Sequence, residues 1–172
     1  MRRDRGFTLV EVTIVVLVVV ILVAVAIPLI NNWLAIYRLG IATQQVTDGL
    51  AATKMRAVAQ TRRLEFLFDV EGNQLGQEGA TLTPLASGVS FSTGEVRVPP
   101  EEGVEMTGPV TFPPTEGPFG LRAAAFTGRG LPDADPGEVF AVFVTNTAGT
   151  RAVTMTSAGN IRAREWTGTE WK

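Results

Sequence analysis

From Val12 to Tyr37 the chain carries no charged residue. Such a run exceeds the roughly 20 apolar residues that cross a bilayer. Valine and isoleucine dominate residues 12–30, and on propensity alone so many β-branched side chains favour a strand. A single strand in lipid would leave its backbone groups unsatisfied, so a lone span has to be helical. Pro28 lacks an N–H and crowds the carbonyl of Ala24, which predicts a kink or local weakening there. Two readings of that proline stand: a loose point that lets the helix stretch or repack as it leaves the membrane, or a plain kink at the membrane boundary.

The leader Met1-Arg2-Arg3-Asp4-Arg5-Gly6 holds three arginines and one aspartate. Positive charge on that flank keeps the N-terminus in the cytoplasm and sends the rest of the chain across. An ordinary secretory signal has a shorter apolar stretch followed by an Ala-x-Ala-like site. No such site follows the run before Pro28, Asn31 and Asn32, whereas Gly6 stands immediately before it. The carboxylate of Glu11 argues against a plain anchor, since an acid at the centre of a membrane helix costs about 2.5 to 3.5 kcal/mol on insertion scales. Near the helix end the cost is smaller, yet something should compensate it.

The stretch Gly6-Phe7-Thr8-Leu9-Val10-Glu11, with the basic leader before it and the apolar run after it, resembles the class III signal of type IV pilins and type II secretion pseudopilins. The resemblance implies a membrane prepilin peptidase that cuts after Gly6 and methylates the new amino terminus on Phe7. Glu11 would be the fifth residue of the mature chain, the family's usual place for its glutamate, and Pro28 the twenty-second, where many pilins carry proline.

The residues support a role for Glu11 without the family. An ionisable group inside a membrane is by default a functional site with a nearby partner. Cleavage would create an amine on Phe7, four residues away in one helix, so Glu11 pairs either with that amine or with the amine of an adjacent subunit. A pair between subunits would set the axial stagger of a filament. The bland alternative is a carboxylate snorkelling to the membrane surface.

Past Pro28 the composition shifts. Trp33 and Tyr37 stand where interfacial aromatics often sit. Leu39, Val46, Leu50 and Ala57 then recur at sevens and fours, with Gln44, Gln45, Asp48, Lys54 and Arg56 between them. One helix is predicted from about Phe7 to about Arg63, its second half offering an apolar stripe to a globular head. From Leu64 the signals are those of strands, at 64–70, 120–126, 139–146, 151–156 and 161–166, separated by turns at Glu71-Gly72-Asn73, 128–137, Thr147-Ala148-Gly149 and 157–160. Residues 74–120 are rich in Gly and Pro, with short apolar pieces at 89–91, 96–98 and 110–112, and read as short strands mixed with a long variable loop. The predicted class is α+β: a long N-terminal helix, membrane-spanning in its first half, packed on an antiparallel sheet. The parts are a leader at 1–6, a transmembrane and filament-core helix at 7–35, its amphipathic continuation at 36–63 and a β-rich head at 64–172.

Leu50 with Arg56-Ala57 and Ala59, then Leu64-Glu65-Phe66, Phe126-Thr127-Gly128-Arg129-Gly130 and Ala158-Gly159-Asn160-Ile161-Arg162, resemble the helix end, first strand and glycine-marked turns of GspH/FimT-type minor pseudopilins. The resemblance leaves out the middle, roughly 74–118.

The chain has no cysteine and no histidine. The head therefore lacks the disulfide with which many major pilins fasten their C-terminal region, and packing with sheet hydrogen bonds must hold it. The commonest general base, the thiol nucleophile and the usual zinc ligands are all missing, so neither an enzyme nor a cofactor is expected. Paired acids remain, as in Glu101-Glu102 and Asp133 with Asp135, the latter within Pro132-Asp133-Ala134-Asp135-Pro136-Gly137. Asp133 and Asp135 suit calcium by chemistry, but between prolines they are more simply a solvated turn.

Nucleic acid is the competing partner. Some FimT-like minor pilins bind DNA through a Gly-Arg-x-Arg sequence near the C-terminus; here the corresponding Gly159-Asn160-Ile161-Arg162 keeps only its glycine and last arginine. Arg162 and Arg164 alternate on one strand and share a face, with Arg151 across a hairpin and Arg129 as further candidates for phosphate contact. The charge opposes this: from Leu64 to Lys172 there are seven basic and fourteen acidic side chains, a balance of minus seven, where a DNA-binding domain shows a basic footprint. The favoured reading is a minor pilin or pseudopilin, with the membrane, a prepilin peptidase and other pilins of the same filament as partners. Its expected place is the inner membrane, single-pass, with the head extracytoplasmic. A DNA-capturing minor pilin is the alternative, and a major pilin is disfavoured by the absent cysteines. Type IV pilus and type II secretion filament share the signal, so the choice between them stays open at this point.

Overall fold

The computed structural model describes residues 8–113 and 121–172. They fall into two units, one ending at Leu34 and the other comprising Ala35–Lys172. A single helix, α1 (Leu9–Gln60), contributes to both.

In the first unit the side chains from Leu9 to Ile30 are exposed. This stretch is long and apolar enough to cross a membrane. α1 continues through Pro28; the proline cannot donate to Ala24, and the helix carries that one missing bond.

In the second unit α1 buries Leu39, Ala42, Thr43, Val46, Leu50, Thr53 and Ala57, spaced at threes and fours as one face of a helix requires. The four apolar positions expected from the sequence are all among them. The hydroxyls of Thr43 and Thr53 donate to the carbonyls of Leu39 and Gly49, each at 2.8 Å, so buried threonines bring no unpaired donor into the core. The helix stops at Gln60, three residues before the expected end at Arg63. Thr61 adopts a left-handed φ of 50°, its N–H bonds to Val58 and that of Arg62 to Ala57. This is a Schellman termination built on threonine where glycine is usual.

Eight strands follow: β1 (Leu64–Asp69), β2 (Gln74–Gln77), β3 (Thr83–Pro84), β4 (Ser90–Phe91), β5 (Arg122–Phe126), β6 (Val139–Asn146), β7 (Gly149–Thr156) and β8 (Ile161–Glu165). They form two antiparallel sheets, ordered β3-β2-β1-β5 and β4-β6-β7-β8, where one sheet was expected. α1 and both sheets contribute to one core, which includes Leu50, Phe66, Phe68, Phe91, Phe112, Phe126, Val142 and Val153. Phe68 stacks on Phe112 at 5.6 Å between centroids, and Phe112 on Phe140 at 4.9 Å.

The middle segment is held piecewise to the side of β6 away from β7. Ser90 and Phe91 pair with Thr145 and Val144. Val110 bridges Val142, and Val104 bridges Val139. The apolar pieces expected at 89–91, 96–98 and 110–112 act as pins rather than as full strands: Val89, Phe91, Val96, Val110 and Phe112 are buried, while 96–98 forms no strand. A smaller cluster of Val104, Ala141, Phe143 and Ala152, with Trp171 against it, covers the other face of the second sheet.

Candidate assembly site

Gly6 and Phe7, the expected cleavage and methylation positions, lie outside the described residues. At the start of α1, Thr8 and Glu11 bond reciprocally. Thr8 Oγ1 accepts from the N–H of Glu11 at 3.2 Å, and Glu11 Oε2 accepts from the N–H of Thr8 at 3.5 Å. This is a capping box, Thr-x-x-Glu, which satisfies two helix-end donors at once. The carboxylate also lies at the positive end of the helix dipole. The compensation required of Glu11 is thus partly local. A cut after Gly6 would leave the Phe7–Thr8 peptide intact, so the box would persist in a mature chain.

Downstream, the arginines considered for phosphate contact separate. Arg162 and Arg164 do share a face, and both reach Glu101, at 3.7 and 3.0 Å. Arg151 stands opposite Glu165 in the β7–β8 register, while Arg164 stands opposite Ala152. Residues facing each other across a ladder share a side and consecutive residues alternate, so Arg151 projects from the other face. There it bonds Glu165 at 2.8 Å and lies against α1, its guanidinium 3.4 Å from where a Cβ on Gly40 would be. Arg129 is exposed between Gly128 and Gly130. Gly128 approaches Thr61 and Gly130 approaches Val58, at the far end of α1 from Gly40. Twenty helical residues span about 30 Å. The four arginines therefore make no common cluster, and three of them face carboxylates.

Two of the paired acids, Glu101 and Asp133, are also engaged by arginines. Glu101, whose side chain is 13% exposed, holds the two arginines of β8. Asp133 pairs with Arg63 at 3.1 Å, and the N–H of Asp135 bonds Glu138, as a turn does. Among the described residues no group of three acids is placed to hold a metal ion.

With the geometry in place, comparison adds one match: residues 1–27 fit the prokaryotic N-terminal methylation motif, the type IV pilin signature. No curated protein and no solved structure matches the chain significantly.

Proposed function

We propose that this type IV pilin-like chain is a minor pilin or pseudopilin, a structural subunit of a type IV pilus or type II secretion filament. Prepilin peptidase would cut between Gly6 and Phe7 and methylate the Phe7 amine. α1 would anchor the subunit in the inner membrane, with its head outside the cytoplasm, and would then enter the filament. The observation that carries this reading is the joining of the methylation motif at residues 1–27 to a helix whose apolar first half is exposed and whose second half is built into the head. Such a helix has no use for its first half in a free soluble protein.

The reading of a minor rather than a major subunit is supported by the resemblance of the head segments and by the cysteine-free C-terminus, which is fastened instead by Trp171 and Arg164. A DNA-capturing role draws little support from arginines that are paired and spread over two faces.

The test is mass spectrometry of the chain from its native host, with cross-linking through a tag after Lys172. Loss of the first six residues, a methyl group on Phe7 and adducts with other subunits carrying the motif are expected. An uncut N-terminus would overturn the proposal. Whether secretion or pilus-assembly components are recovered decides between the two machines.

A further inference from the structure

The sheet edges are not finished alike. On β5 the N–H of Ala123 bonds Pro113, and the carbonyl of Ala125 accepts from Asp133. β3 is two residues long and contains Pro84. β4 is equally short, and the N–H of Phe91 is taken by the Asn73 side chain. β8 has five residues, and among the described residues only its last is covered: Glu165 exchanges two backbone bonds with Lys172, at 2.8 and 3.0 Å.

The register fixes which groups of β8 face outward. Trp166 donates to Thr150 and Thr156 donates to Asn160, so the bonded pairs with β7 fall at residues 160, 162, 164 and 166. The N–H and C=O groups of Ile161 and Ala163 therefore point away from β7, as those of Glu165 do, and no described residue bonds them. Lys172 begins a ribbon along this edge, and among the described residues the next two bonding positions of β8 are open. Between those positions stands Arg162, with a side chain 60% exposed. The only carboxylate paired with it among the described residues, at 3.7 Å, is held more closely by Arg164.

We propose that the open stretch of β8 receives an extended segment of a neighbouring filament subunit as an added antiparallel strand, in line with Trp171 and Lys172 and with an acidic residue opposite Arg162. This rests on the filament reading above. Two donors and two acceptors alternating at strand spacing are complementary to extended backbone, the mode of recognition by strand addition. A residue opposite Arg162 would occupy a non-hydrogen-bonded position, where cross-strand side chains come closest. With Glu101 engaged by Arg164, the guanidinium there favours a carboxylate.

The test uses the full-length chain in its native host, with a photoreactive residue in place of Asn160, exposed in the turn before β8. Irradiation should join it to an extended, acid-containing segment of another subunit that carries the methylation motif, identified by mass spectrometry. Ala163→Pro removes one outward N–H and no bond to β7, so adduct yield should fall about three- to tenfold. The unfolding midpoint of the detergent-solubilised chain and the cleavage before Phe7 should not change. Arg162→Glu leaves the backbone whole and should give a similar loss; it decides the matter if proline disturbs the fold. Undiminished adduct in a folded variant, or adducts confined to this chain's own residues, would overturn the proposal. An uncut N-terminus would instead sink the filament reading, while the adduct would still report on β8.

Discussion

Trp171 donates its indole N–H to the carbonyl of Val98 at 2.8 Å, tying the end of the chain to a loop 73 residues earlier. The same ring lies 6.0 Å from Phe143 and 5.3 Å from Trp166. Together with Arg164 on Glu101, this contact does the fastening that a disulfide would otherwise do. Trp171→Phe keeps the ring and loses the bond, and should cost about 1 kcal/mol. Trp171→Ala loses both and should cost about 2 to 4 kcal/mol. Urea unfolding of the solubilised chain measures the two; an unchanged Trp171→Phe variant would show that the bond contributes nothing.

Two glycines of α1 should respond oppositely to the same change. A Cβ on Gly49 would lie 2.2 Å from the ring of Phe66, whereas on Gly40 its nearest neighbour is Arg151 at 3.4 Å. Phe66 is buried and packs edge-on against Phe68, so it has little room to retreat. Gly49→Ala is expected to destabilise by about 1 to 3 kcal/mol. Gly40→Ala should be neutral or stabilise by up to about 1 kcal/mol through helix propensity. Paired unfolding curves would check the contrast.

Thr61 holds a left-handed conformation that a β-branched residue adopts at a cost. Thr61→Gly should therefore stabilise the head by about 1 kcal/mol, since glycine suits the helix-ending position. A lower unfolding midpoint would mean that the threonine hydroxyl matters more than its backbone.

The arginines on Glu101 should prove unequal. Arg164 is 32% exposed in its side chain and approaches at 3.0 Å, Arg162 is 60% exposed at 3.7 Å, and the Nε of Arg164 is buried without a partner. Glu101→Ala should cost about 1 to 3 kcal/mol because it strands Arg164. Arg162→Ala should stay within about 0.5 kcal/mol. A double-mutant cycle on Glu101 with each arginine gives the two coupling energies.

Glu11→Gln separates the helix cap from the charge. Glutamine can fill the same place in a capping box but cannot pair with an amine as an ion. The variant should insert in the membrane and stay helical, while its incorporation into filaments falls to about a tenth or less if one charged hydrogen bond is lost. Normal incorporation would show that capping is all the assembly needs from Glu11. Gly6→Asp, by comparison, should stop maturation, read out as an N-terminus that still carries the leader.

Much of the architecture was legible because patterning and turn chemistry agree. β6 and its turn into β7 stand out as an apolar run ending at Asn146 and followed by Thr147-Ala148-Gly149. The buried stripe of α1 follows from spacing alone. β2 was not legible: Gln74-Leu75-Gly76-Gln77 holds one apolar side chain, and its pairing with β1 supplies what its composition lacks. Nor does a sequence say that the strands divide into two sheets, since that depends on which edges meet. The shared face of Arg162 and Arg164 follows from the period of a strand, but the place of Arg151 depends on cross-strand register, which only the fold sets. At the candidate assembly site, Thr8 was readable as the partner of Glu11, because Thr-x-x-Glu before an apolar helix is a local signal.

The stitching of the middle segment to β6 has a consequence for how such a head can diversify. Three short contacts, at Phe91, Val104 and Val110, fix the segment to β6, and between the first two Val96 is buried, Val98 accepts from Trp171 and Glu101 holds two arginines. Doubling a flexible span between two such stitches costs only about 0.6 kcal/mol in chain entropy. Chain inserted away from these anchors would thus change the outer surface while the stitches stay put.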